Sequence, residues 1–111
     1  MTDRAPLSEP LFHILLALVD DPRHGYGIIQ EVESRTRGEV RLGAGTLYSA
    51  IKRIRAAGWV EEVGAPAGAD GRRRYYGLTT VGRRVVKSEA RRLEALVKHA
   101  RSKRVLTGRT G

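Results

Sequence analysis

At 111 residues the chain is long enough for one modest core, and its 41% apolar and 30% charged residues place it with globular rather than disordered sequences. It carries no cysteine, which excludes disulfides and thiolate chemistry, and no run reaches the ~18 apolar residues of a membrane helix. The net charge is +9 and the pI about 10.8, a field that attracts polyanions: nucleic acid first, an anionic membrane second, with a merely solubilising surface as the bland reading. The start of the chain lacks a secretory signal pattern, so a cytoplasmic, nucleoid-associated location is expected.

Ser8 is placed to cap a first helix running from Leu11 to about Val19, with Pro10 in its opening turn. Ile14, Leu15 and Leu18 suit a core, and the helix is apolar nearly all round. Phe12 and Leu16, on its other face, therefore call for a second partner. Asp20-Asp21-Pro22 breaks the helix, and His24-Gly25-Tyr26-Gly27 begins a second, with Ile28, Ile29 and Val32 inward and Gly38 as its stop. A short extended link through Val40 and Leu42 leads to a third helix over 45–57.

That third helix divides cleanly at about 100° per residue. Leu47, Ala50, Ile51, Ile54 and Ala57 fall on one face, and Tyr48, Ser49, Lys52, Arg53, Arg55 and Ala56 on the other. An ordinary surface helix has this pattern too, but two helices joined by a tight connector suit a helix-turn-helix. Gly58 stands where a helix-terminating glycine belongs, and Trp59-Val60 starts a strand. A Gly-, Ala- and Pro-rich loop ends in the turn signal Asp70-Gly71, and 72–78 reads as the return strand. A hairpin directly after a helix-turn-helix is the outline of a winged helix.

Thr79 is a good cap for a last helix reaching about Ser102. Gly82, Val86, Ala90, Leu93, Val97 and Ala100 form a narrow heptad-like stripe, with Arg and Lys on the other faces. Such a seam meets a single helix, and the same helix of a second copy is the expected mate, together with Phe12 and Leu16. The expected organisation is a winged helix-turn-helix domain over 1–79, a dimerisation helix over 80–104 and a flexible basic tail over 105–111. The fold class is α+β, mainly helical with a small β-hairpin.

The polar face of the third helix sorts by chemistry. Thr46 and Ser49 lie near its N-terminus, where backbone N–H groups and the helix dipole favour phosphate. Tyr48 offers a hydroxyl to phosphate and a ring to a thymine methyl, while Lys52 and Arg53 are the candidates for guanine O6 and N7. This helix has no Asn or Gln for bidentate adenine contact. Arg72, Arg73 and Arg74 at the hairpin's outer end would repel one another unless hydrated or bound to an anion, which suits phosphates along the minor groove.

Gly25-Tyr26-Gly27, Gly45-Thr46-Leu47-Tyr48, Gly58-Trp59-Val60, Arg74-Tyr75-Tyr76-Gly77-Leu78-Thr79 and Gly82-Arg83 occur in this order, and together they resemble the PadR family of transcriptional regulators over about 7–104. The resemblance implies a winged helix-turn-helix homodimer, held by its terminal helix, that binds double-stranded operator DNA and usually represses transcription. It also implies that Tyr26 touches the DNA backbone, and that many relatives release DNA on binding a small-molecule effector. Ser49 replaces the Pro that often follows the recognition-helix Tyr, and Ile54-Arg55 replaces the common Leu-Glu, so operator sequence does not carry over. The single short last helix resembles the smaller branch of the family.

Other classes find little in the residues. His13, His24 and His99 lie on separate elements without metal-ligand spacing, and no nucleophile–base pair or phosphate-cradling loop is visible, so neither enzyme, metal nor cofactor is expected. No basic helix carries the broad hydrophobic face of a membrane-surface protein. A nucleic-acid-coating protein without an operator remains the alternative. The last helix offers no Trp, Tyr or Phe to stack on a planar effector, and Trp59 reads as an anchor between wing and core.

Overall fold

The computed structural model describes residues 6–106. The elements are α1 (Glu9–Ala17), β1 (Arg23–His24), α2 (Gly25–Arg35), α3 (Ala44–Ala56), β2 (Val60–Val63), β3 (Tyr75–Leu78) and α4 (Thr80–Ser102). Of the expected basic tail, residues 107–111 lie outside the described residues; Val105 and Leu106 are exposed.

Helices α1, α2 and α4 start at capping side chains, whereas α3 follows Gly43 without one, and α1 spans Glu9–Ala17 rather than the expected 11–19. The Ser8 hydroxyl accepts from Leu11 N–H at 3.3 Å, and Pro10 falls in the first turn of α1. Helix α2 begins at Gly25 with His24 as its cap. It ends in two successive left-handed residues, Arg37 at φ 54° and the expected Gly38 at φ 81°. Arg37 N–H donates to Ser34 O at 3.2 Å and Gly38 N–H to Glu33 O at 2.8 Å, the paired bonds that close a helix C-terminus. Thr36 then organises the turn, its hydroxyl donating to Val32 O and accepting from Val40 N–H.

Helix α3 buries Leu47, Ala50, Ile51 and Ile54 and leaves Tyr48, Ser49, Lys52, Arg53, Arg55 and Ala56 exposed. Ala57 departs from the expected pattern: the helix ends at Ala56, and Ala57 is exposed at its cap. Gly58 at φ 82° turns the chain, with Trp59 N–H donating to Ile54 O at 2.9 Å.

The sheet has three antiparallel strands in the order β1-β3-β2. Val60 pairs with Leu78 and Val63 with Tyr75 in the hairpin, while Arg23 pairs with Tyr76 and His24 with Tyr75 on the other side. Strand β1 was not anticipated, since two residues leave no periodicity to read. The return strand starts at Tyr75 rather than Arg72. Asp70 bends 70–73 into a turn, its carboxylate accepting from Arg72 N–H at 2.9 Å and its carbonyl from Arg73 N–H at 3.3 Å.

Ile14, Leu15, Leu18, Ile28, Val32, Leu47, Ile54 and Val85 are excluded from solvent and form one core shared by all four helices. Three helices around that core with a hairpin after the third are a winged helix-turn-helix.

Thr79 fixes the root of α4. Its hydroxyl donates to Gly58 O at 2.6 Å and accepts from Gly82 N–H at 3.0 Å, while its own N–H reaches Trp59 O at 3.0 Å. Gly82 rests on the Trp59 carbonyl so closely that any Cβ there would overlap it. Two positions expected on the dimer seam are thus occupied within the chain: Gly82 against Trp59, and Val86 in the core at 8% exposure. Glu89, also buried, grips Arg92 through two hydrogen bonds of 3.0 and 2.6 Å. The stripe open to a partner begins at Ala90, and beyond it Leu96 is 51% exposed and Val97 is exposed.

Gly82→Ala should destabilise the fold by about 2 kcal/mol or more, because backbone rather than a flexible side chain stands in the way. Chemical denaturation checks this; an unchanged midpoint would show that α4 shifts off Trp59 at no cost.

Candidate nucleic-acid interface

The exposed side of α3 presents Thr46, Tyr48, Ser49, Lys52 and Arg53, all in contact with solvent. They divide between two flanks. Tyr48 and Lys52 border a hollow shared with Arg55 and Tyr76, on the wing side. Thr46, Ser49 and Arg53 border another with Ser8, Pro10 and Leu11, on the α1 side. Lys52 and Arg53, about 100° apart on the helix, therefore border different flanks of its exposed side. Arg55, further along, approaches Glu62 of β2 at 3.9 Å.

The two glycines around Tyr26 have distinct steric reasons. A Cβ on Gly25 would overlap the phenol of Tyr48, and one on Gly27 would press on the His24 ring at 3.3 Å. Gly25 thus lets the α3 tyrosine lie across the start of α2. Tyr26 is 56% and Tyr48 50% exposed, so both rings stand at the surface. Both rings line one cleft with His24, Gly25, Arg73, Arg74 and Tyr76.

The three wing arginines are not equivalent. Arg72 is tied to Asp70, its Nε 3.2 Å from Oδ1, and its side chain is otherwise solvated. Arg73 turns inward: its Nη1 lies 3.0 and 3.1 Å from the two ring nitrogens of His24, and its guanidinium carbon 6.0 Å from the centre of the Tyr26 ring. Arg74 lines the cleft. The crowding of like charge expected at this tip is relieved by Asp70, whose carboxyl is held below its ordinary range chiefly by the Arg72 N–H and side chain.

His24, read from the sequence as a helix-start residue, has more to do than that. Its Nδ1 accepts Gly27 N–H at 2.9 Å, and its ring meets Tyr75 edge-on at 5.4 Å between centres. Partial burial, followed by the nearby Arg73 charge, lowers its pKa from 6.5, with Asp70 opposing. The sequence signal was present in His24-Gly25-Tyr26-Gly27, but the arginine that completes it lies 49 residues away.

Among the described residues no cluster of three His, Cys, Asp or Glu side chains is placed to hold a metal ion. No helix is long and apolar enough to cross a membrane.

A basic recognition helix, a tyrosine at the start of the preceding helix and an arginine-bearing wing on one surface define the class as a winged helix-turn-helix of the DNA-binding type. The chain belongs to the transcriptional regulator PadR-like family, whose sequence profile matches residues 14–88. A PadR family transcription regulator of Clostridium difficile superposes with a TM-score of 0.71 at 25% identity, over 86% of this chain and 97% of that one. Bacillus subtilis PadR, solved in complex with operator DNA, shares the fold at a TM-score of 0.63 and 18% identity, over 77% of this chain and 48% of that one. An uncharacterized 37.1 kDa protein in transposon TN4556 of Streptomyces fradiae is 37% identical over 83 residues, 75% of this chain. The chain spans only 22% of that relative's length.

Acid should weaken the fold through His24. The unfolded ring binds its proton more readily than the folded one, so stability present above pH 6.5 is lost as pH falls below it. His24→Asn keeps a cap whose acceptor does not titrate. Thermal unfolding between pH 8 and pH 5 should therefore show a smaller loss in the variant than in the parent, and equal losses would refute the assignment.

Proposed function

We propose that this chain is a sequence-specific transcriptional regulator that represses by binding double-stranded operator DNA as a homodimer. The observation that carries the reading is the cleft where Tyr26, Tyr48, Arg73 and Arg74 meet, contributed by α2, α3 and the wing. Three elements far apart in sequence place hydroxyl and cationic groups on one concave surface, which is the chemistry of phosphate contact at a groove edge. In this reading Thr46, Ser49, Tyr26 and Tyr48 hold phosphates, and Lys52 and Arg53 read guanine from either flank of α3. Arg72, Arg73 and Arg74 follow the minor-groove phosphates. Adenine is read through thymine methyls or DNA shape, since α3 carries no amide side chain.

Dimerisation is assigned to Ala90, Leu93, Val97 and Ala100 on α4, joined by the outward sides of Phe12 and Leu16. Val86 contributes only from beneath, within its own chain's core. Leu96, exposed on the same stretch, extends the apolar surface that a second α4 would cover. A two-fold dimer selects an inverted repeat with half-sites about one helical turn apart, ~34–36 Å. A small-molecule effector acting between subunits belongs to the same reading. Aromatic stacking on α4 is not available to it, because the helix has no Trp, Tyr or Phe.

Selection of bound fragments from random DNA should return an inverted repeat. Binding to that repeat should be steeply salt-dependent, each phosphate contact contributing about 0.9 to the slope of log K against log salt. Replacing Arg72, Arg73 and Arg74 together by Ala should lower the slope by roughly two to three. An unchanged slope removes the wing from the interface, and failure to enrich any sequence leaves the coating protein.

Leu93→Asp places a charge in the proposed seam and should give monomers with much poorer operator binding, read by sedimentation and by titration of the selected repeat. A monomer that binds like the parent refutes the dimer.

A further inference from the structure

We propose that His24 is a positioning residue for DNA binding: its neutral ring seats Arg73 of the wing beside Tyr26 of α2. This rests on reading the cleft as the DNA face. Three contacts converge on one imidazole and together leave it a single orientation. Gly27 N–H occupies Nδ1 at 2.9 Å, which fixes the ring's rotation and requires that nitrogen to carry no proton. Tyr75 holds the ring edge-on, with an interplanar angle of 76°. Arg73 Nη1 then lies almost equally far, 3.0 and 3.1 Å, from both ring nitrogens. Nδ1 is already committed to the backbone, so the guanidinium rests against the Nδ1–Cε1–Nε2 side of the ring as a whole.

A capping role alone would not choose histidine. Asn, Asp, Ser and Thr cap more effectively, and none of them presents a planar surface to a guanidinium. What the ring adds is a bridge from the wing to the start of α2. Arg73, the last residue of the 70–73 turn and no closer than 3.9 Å to the Asp70 carboxylate, would otherwise be a long side chain with many rotamers near an exposed tip. Held on His24, it has already lost that freedom and lies 6.0 Å from the Tyr26 ring, with Arg74 and Tyr48 in the same cleft. DNA meets a cation whose ordering cost has been met in the free protein, which raises affinity without adding a contact.

The test separates capping from positioning. His24→Asn and His24→Ser both restore a cap without a ring, and Arg73→Ala removes the seated group from the other side. Each is titrated against a duplex recovered by selection with the parent protein, across a salt series, and its melting temperature is measured at pH 8. The ring-less caps should melt close to the parent yet bind about tenfold more weakly. Their salt slope should stay at the parent's, because Arg73 still reaches its phosphate, whereas that of Arg73→Ala should fall by about 0.9. Combined with Arg73→Ala, they should lose nothing further. Parent-like binding by the folded cap variants would make His24 a cap only and overturn the proposal. Additive losses in the combined variant would overturn it by separating His24 from Arg73. Tighter binding would overturn it too, showing that the ring holds Arg73 away from DNA. A parent protein that binds no duplex fails the regulator reading itself, before any variant is compared.

Discussion

The Trp59 carbonyl is the point on which this architecture turns. It accepts the Thr79 N–H and lies under Gly82, while the Thr79 hydroxyl reaches back to Gly58. One backbone group thus joins the end of α3, the root of the wing and the start of α4. The angle at which the recognition helix leaves the core and the angle at which the last helix leaves it are set by the same few atoms. Such an arrangement needs glycine at 82 for contact and at 58 for a left-handed turn. The Thr79 side chain serves two helix ends at once.

Further out along the wing, side chains rather than backbone carry the organisation. The wing has its own counter-ion in Asp70, so Arg72 and Arg73 can stand at one tip without an external anion. Arg55 and Glu62 form a second opposed pair at the base of the wing. The proposed DNA face is therefore a patterned one in which acids steer some arginines, while among the described residues Lys52, Arg53 and Arg74 have no acid within 4.0 Å. Exposed pairs of this kind contribute little to stability. Their effect is on which cations are presented and in what direction.

Much of this was legible in the residues. The two faces of α3 follow from period alone, and only Ala57 departs, because the helix stops one residue before the pattern does. Ser8, Thr79 and Gly58 announced their helix ends through local chemistry that depends on neighbours three or four residues away. What escaped was non-local or too short. Strand β1 has two residues and exists because Tyr75 and Tyr76 lie beside it. The start of β3 was misplaced because Asp70 turns the arginines before pairing begins. The seam on α4 read as uniform, yet its first turns are claimed by Trp59 and the core, which helical spacing cannot distinguish from a partner. His24 needed Arg73, on another element, before its role could be seen.

The rigid root of α4 has a mechanical corollary. Roughly 20 residues of helix run beyond Gly82, about 30 Å of lever. A tilt of about 10° at that root displaces the far end by roughly 5 Å, more than the rise of one base pair. Where two copies join along these helices, the reach from one reading head to the other becomes a matter of how firmly a glycine rests on a carbonyl. Tolerance for an extra base pair between half-sites would then be decided far from the DNA, by packing that never touches it.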